Sequence, residues 1–154
     1  MERKHRISAG AIVIKDNKVL LVRYKNSDGS SHLVGPGGGV LSNEGISQVV
    51  VREVREETGL EICPFSPYRI LFVEDLILGR FRMVKVWSLC TLVGGELTHT
   101  QGAIDEKIIE AGWYRKDQLK NETVYPPVLL SYDWATFFKD GWETKYLELK
   151  DASF

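Results

Sequence analysis

Cysteine is scarce in this chain. Cys63 and Cys90 are the two present, neither sits in a CxxC pair, and no Cys/His cluster has zinc-ligand spacing. A disulfide scaffold and a structural zinc module are excluded as the basis of the fold. Both cysteines are expected to act as small buried hydrophobes in a reducing compartment. Long apolar runs are missing too: none approaches the roughly 20 residues of a membrane span. The start, Met1 to Arg6, is basic, but the apolar stretch Ala9 to Ile14 is about half a signal-peptide core and runs into Lys15-Asp16-Asn17-Lys18. A soluble cytoplasmic protein without a membrane partner is the expectation. Nor is there a basic surplus. Lys and Arg number 20 against 21 Asp and Glu, a net charge of -1. That balance argues against holding duplex nucleic acid by bulk electrostatics. A nucleotide substrate stays open, because a local metal site can neutralise phosphate. Repeats, low-complexity tracts and linkers are absent, and 154 residues suit one domain spanning 1–154.

What is present reads as strands around one strong helix. Ile7 to Lys15 and Val19 to Val22 flank the turn signal Asp16-Asn17, which predicts a β-hairpin. Gly35-Pro36-Gly37-Gly38-Gly39 can form neither a helix nor a central strand. Ile46 to Thr58 has no Gly or Pro and places Ile46, Val50, Val51 and Val54 on a helical face. Asn43 is the expected cap, Glu44 falls in the first turn, and Gly59 ends the helix. Strands are expected at Leu60–Cys63, Tyr68–Val73, Phe81–Val93, Ala111–Tyr114 and Trp142–Leu149. A short helix or turn is expected at Lys116–Leu119, and a C-terminal helix opening at Pro126-Pro127 with Val128, Leu129, Tyr132, Ala135, Phe137 and Phe138 on its apolar face. Strands and helices do not alternate regularly. The pattern favours a mixed sheet flanked by helices over a doubly wound parallel sheet.

The chemistry-bearing feature is on the first helix. Glu53, Glu56 and Glu57 fall at i, i+3 and i+4 and so project from one face. Like charges this close repel by a few tenths of a kcal/mol per pair even when exposed. A hard divalent cation removes that repulsion and prefers oxygen ligands. Taken alone, the three glutamates are better explained as a solvated acidic face. The glycine loop ahead of the helix, which can bring backbone close to a phosphate or a metal, tips the reading toward a metal site. Arg52 and Arg55 are interleaved as counter-ions.

Together these residues resemble the Nudix box, Gly-x5-Glu-x7-Arg-Glu-aliphatic-x-Glu-Glu-x-Gly-aliphatic. Here it reads Gly38, Glu44, Arg52-Glu53-Val54-Arg55-Glu56-Glu57-Thr58-Gly59-Leu60, with every defined position matched. Pro36-Gly37-Gly38 matches the Pro-Gly-Gly that often leads into the box. Leu33 stands where the family often has Trp, and Val49 and Val50 are bulkier than the small residues usual before the Arg-Glu pair. The resemblance implies a Nudix-type α/β/α sandwich around a central mixed β-sheet, and Mg²⁺-dependent hydrolysis of a diphosphate linkage, with Mn²⁺ as a substitute. It implies that Glu53, Glu56 and Glu57 hold the metal with help from the Gly38 carbonyl. Gly37 and Gly38 would meet the substrate, Arg52 would orient a neighbouring glutamate, and Glu44 would support the loop and helix start. For the general base, Glu53 or Glu56 is expected within the box and Glu106 outside it, in a stretch that also offers Asp105 and Glu110.

The substrate is less legible. Family signatures point away from several classes: Asp75 and Leu76 stand where an ADP-ribose-class Pro is often found, Leu76-Ile77-Leu78 where a dinucleotide-class Tyr is. Elimination leaves a small nucleoside triphosphate, with ADP-ribose or a nucleotide sugar as the alternative. A non-catalytic nucleotide-binding module usually loses box carboxylates, and none is lost here. Isopentenyl diphosphate isomerase would need a catalytic Cys in a motif that Cys63 lacks. Trp87, Trp113, Tyr125, Trp134 and Phe138 are candidates for a base-stacking wall or for the core. Relatives commonly dimerise, so a homodimer is one expectation.

Overall fold

The computed structural model describes residues 2–152; Met1, part of the basic start, lies outside them. The spine is the pairing of β1 (Lys4–Lys15) with β7 (Phe81–Gly95). They run parallel in unbroken register from Lys4 opposite Phe81 to Val13 opposite Cys90. On the far side of β7 lies β6 (Ile70–Leu78), followed by β10 (Lys145–Asp151) at the edge. On the other side, β1 turns into β2 (Lys18–Lys25), which pairs with β3 (Ser31–Val34) and β8 (Ile108–Arg115). The two-residue β9 (Val124–Tyr125) continues from β3. Asp16 and Asn17 both have positive φ, as the expected tight hairpin requires.

Alternation along these strands separates two apolar clusters. Ala9, Ala11, Val13 and Leu20 point to one side, and Ile12, Val19 and Leu21 to the other. The first side is covered by α1 (Ile46–Thr58), whose Val49, Val50 and Val54 pack on the two alanines and on β5 (Leu60–Pro64). Small residues in the strand make room for the valines on the helix. Burying one such valine contributes about 1.5–3 kcal/mol. The second side is covered by the C-terminal segment, where Phe72, Tyr132, Phe137 and Trp142 meet with ring centroids 5.2–6.1 Å apart. Leu33 is fully buried there, in the place of the expected Trp. The result is a mixed α/β fold with a curled mixed sheet between two covering layers. No helix among the described residues is long and apolar enough to cross a membrane.

Gly37–Gly39 is an edge strand, β4, antiparallel to β1, because a strand without side chains can lie flat against Ala9 and Gly10; it is neither helix nor central strand. Four expectations are corrected. The helix is capped by Gly45, whose N–H donates to Gln48 Oε1 at 2.6 Å; Asn43 and Glu44 precede it. The C-terminal helix is two 3-10 segments, Pro127–Ser131 and Trp134–Phe138, split where Tyr132 is extended and Asp133 starts a new cap. The last strand begins at Lys145, because Trp142 is taken into the aromatic cluster. A short helix, α2 (Gln101–Asp105), carried no periodic signal and went unforeseen. Cys63 is exposed rather than buried.

Gly59 ends α1 at φ 80°, its N–H bonded to the Arg55 carbonyl, and a Cβ there would sit 2.5 Å from the Glu96 carbonyl oxygen. Gly59→Ala is expected to lower stability by about 2 kcal/mol in urea unfolding, from left-handed strain and the displaced loop. A loss under a few tenths would show that this end is not strained. Iodoacetamide on the folded protein should modify Cys63 alone, since burial pushes the Cys90 thiol up to about 12. Mass spectrometry showing two adducts before unfolding would contradict the burial of Cys90.

Candidate active site

The site forms where α1 passes over β4. Glycines make the approach close: a Cβ on Gly38 would run into the Glu53 carboxylate. Glu57, on the inner side of the helix, is only 2% exposed. Its Oε2 accepts the Gly37 N–H at 3.2 Å. Glu53 lies one helical turn before Glu57 on the same face of α1, and the two carboxyl groups interact. Burial first, and then the Glu53 charge, push the Glu57 carboxyl well above the usual carboxylate range. Glu53 is raised as well, by burial, against the opposing pull of Arg52.

Arg52 organises the other half. Its Nε and Nη2 donate to the two Glu44 oxygens at 2.6 and 2.9 Å, a bidentate pair. Its Nη1 donates to Glu53 Oε1 at 2.9 Å and to Glu56 Oε2 at 3.2 Å, and Nη2 reaches the Gly39 carbonyl at 3.3 Å. The hydrogen bonds from Arg52 hold Glu44 below the usual carboxylate range. Two of the three box glutamates, Glu53 and Glu57, therefore converge, while Glu56 is turned to Arg52 with its side chain 51% exposed. Among the described residues no three His, Cys, Asp or Glu side chains stand together as a ready ligand group. The Gly38 carbonyl, in the ladder with Ala9, also accepts the Ser8 hydroxyl at 2.9 Å.

Glu106 is brought to the same place by α2. Thr100 caps α2 by accepting the Ala103 N–H at 2.9 Å, and its hydroxyl donates to the Glu56 carbonyl, which ties α2 to the end of α1. Glu106 then lies at the α2 C-terminus, on the wall of a cavity of about 290 Å³ that Gly37, Gly38 and Gly39 also line. The Tyr24 phenol, raised by burial, also feels Glu57, Glu106 and Glu53, so these carboxylates share one field. Asp105 is taken by Gln101 and Glu110 by Arg23, outside the cavity.

The cavity holds residues that motif reading missed: Arg6 and Ser8 of β1, Glu74 of β6 and Lys85 of β7. Burial drives the Lys85 ammonium below the ordinary lysine range against the attraction of Glu74, Glu57 and Glu53. A cation on the cavity wall, within the field of the acidic pair, is placed to meet a phosphate. Of the aromatic residues considered for stacking, Trp87 and Tyr125 line the cavity. Trp134 is core, Phe138 packs edge-on to Phe65, and Trp113 sits with the cluster under α1.

A family model described as the NUDIX domain matches residues 4–134. A curated relative named ADP-ribose pyrophosphatase, from Methanocaldococcus jannaschii, is 43% identical over 91 residues, 59% of this chain and 53% of that protein. The chain thus spans about half the length of that relative. Among solved structures, an ADP-ribose pyrophosphatase from Streptococcus suis superposes with a TM-score of 0.66 at 24% identity, over 92% of this chain and 98% of that one. A MutT NUDIX hydrolase from Burkholderia pseudomallei gives 0.65 at 24%, over 83% and 96%. At such identities the structural likeness speaks for the fold.

A buried carboxyl group, Glu57, next to a half-buried one, Glu53, destabilises the metal-free protein. In EDTA at neutral pH, Glu57→Gln is expected to raise Tm by about 3 °C, since the amide oxygen still accepts from Gly37 and the pair no longer has to hold a proton in order to fold. An unchanged or lower Tm would mean the pair carries no such penalty.

Proposed function

We propose that this chain, which belongs to the Nudix family, hydrolyses the diphosphate linkage of an ADP-ribose-type nucleoside diphosphate derivative with the help of a divalent cation. The observation that carries the reading is the pairing of buried Glu57 with half-buried Glu53, the latter pressed against the Gly38 backbone. Such a pair is stable at neutral pH only with a proton or a cation between the two groups. An all-oxygen donor set of this kind fits Mg²⁺, with Mn²⁺ as a substitute. Glu53, Glu56, Glu57 and the Gly38 carbonyl would hold it, Glu56 exchanging its bond to Arg52 for the ion. When bound, the cation supplies Lewis acidity and neutralises diphosphate charge.

The chain's own residues do the rest. Arg52, clamped by Glu44, positions Glu53 and keeps Glu56 in reach. Gly37 and Gly38 let the diphosphate approach the backbone, and Lys85 offsets its charge. Attack on phosphorus requires a carboxylate to take the water proton. Glu53 or Glu56 would do so from the helix, or Glu106 from the C-terminal end of α2. The cavity beyond the loop would take the nucleoside end. Elimination on sequence signatures favoured a nucleoside triphosphate. The 43% identity to a protein named for ADP-ribose favours the diphosphate-sugar reading instead.

A screen of ADP-ribose, nucleotide sugars, dinucleotides and nucleoside triphosphates, read as phosphate released after phosphatase coupling or as pyrophosphate, tests this. Turnover should be highest on ADP-ribose with Mg²⁺, partly retained with Mn²⁺ and lost in EDTA. No turnover on any of them would leave a nucleotide-binding module. Glu57→Gln should lower kcat by at least about 100-fold with the fold intact by circular dichroism. Full activity in that variant would remove Glu57 from the site.

A further inference from the structure

The floor of the cavity beside the glycine loop carries one feature that the reaction does not use. Phe72, Glu74, Leu76 and Leu78 occupy alternate positions of β6 and so share a face. Three are apolar and the fourth is a carboxylate, 8% exposed. Leu76, Leu78, Met83, Trp87 and Pro127 give the cavity an apolar wall beside it, with the charged Arg6, Lys85, Glu106 and Lys150 in the same lining. A carboxylate in such a place is expensive to bury unless both oxygens find donors. One does: Glu74 Oε1 accepts the Trp87 indole N–H at 2.6 Å. The other, Oε2, has no hydrogen-bond partner among the described residues. Lys85, opposite Glu74 on β7, lies instead over the Trp87 ring, its Nζ 4.3 Å from the centroid.

The indole cannot turn away. A Cβ on either Gly10 or Gly35 would collide with its six-membered ring, so the ring is held between two bare backbones. An indole N–H only donates. Trp87 therefore occupies one oxygen of Glu74 and leaves the second, on a residue that lines the cavity, as an acceptor.

We propose that Glu74 is a specificity-determining residue that accepts an N–H from the exocyclic amine of a nucleobase seated in this cavity. The proposal rests on the nucleotide reading above, because the glycine loop that would meet the diphosphate also lines the cavity. The apolar walls suit a planar base better than a hydroxyl-rich sugar. A buried acceptor built for one donor rejects an analogue that lacks it, since the oxygen is then desolvated and unpaired.

Calorimetric titration in EDTA with AMP and with purine riboside 5′-monophosphate, which differ by the amine alone, reads this contact without hydrolysis. The wild-type chain should bind AMP about tenfold more tightly. In Glu74→Gln the indole must take the amide oxygen, which turns the NH₂ into the cavity. A donor then faces the amine, and the ratio should fall to one or reverse in favour of the analogue. Retained Trp87 bonding keeps that variant folded, checked by its Tm. A wild-type ratio near one, no AMP binding at millimolar concentration, or a ratio unchanged in the variant would each overturn the proposal. Turnover on ADP-ribose with a ratio of one would leave the reaction standing and remove Glu74. A tenfold ratio without turnover on any diphosphate would do the reverse.

Discussion

The close passage of α1 over the side-chain-free strand Gly37–Gly39 is the constraint on which the site depends. Gly38 has no Cβ, so the Glu53 carboxylate can occupy that space, and Glu57 can reach the Gly37 N–H beneath it. The approach is held from both sides. Val49, Val50 and Val54 draw the helix onto Ala9 and Ala11, and the pairing of β4 with β1 holds the glycines against the same strand. Hydrophobic burial of this kind is non-directional but strong enough to hold two carboxyl groups side by side.

Around that contact the charges divide into two roles. Arg52 faces the rim and gathers Glu44, Glu53 and Glu56 by charge-assisted hydrogen bonds. Lys85 faces inward and shares the field of Glu53, Glu57 and Glu74. Strand β7 supplies both Lys85 and Trp87 at alternate positions, and β6 supplies Glu74 across from Lys85. One pair of neighbouring strands thus links the acidic centre to the floor of the cavity.

Much of the site was legible because it is local. The i, i+3, i+4 spacing of Glu53, Glu56 and Glu57, the arginines between them and the glycine at the helix end depend on helical geometry within a few residues. The Asp16-Asn17 turn was legible for the same reason. The C-terminal segment was not: Tyr132 breaks the helix because its ring joins Phe72, Phe137 and Trp142, a contact that no periodicity within the segment encodes. Glu74 did carry a signal, a carboxylate on an otherwise apolar alternating face. Its meaning needed Trp87, thirteen residues on in the neighbouring strand.

By itself the sequence determined the helix from Ile46 to Thr58, the glycine segment before it, the acidic face and the mixed character of the sheet. These follow from bond geometry and the period of apolar residues. Only the tertiary structure decided that Glu53 and Glu57 converge while Glu56 turns to Arg52, that Glu106 reaches the cavity while Asp105 and Glu110 do not, and that Trp87 is a buried floor rather than a stacking wall. Those outcomes depend on the register of β1 with β7 and of β7 with β6, and on the docking of α2 against α1. They are set by contacts between residues far apart in the chain, where local pattern carries no information about distance or direction.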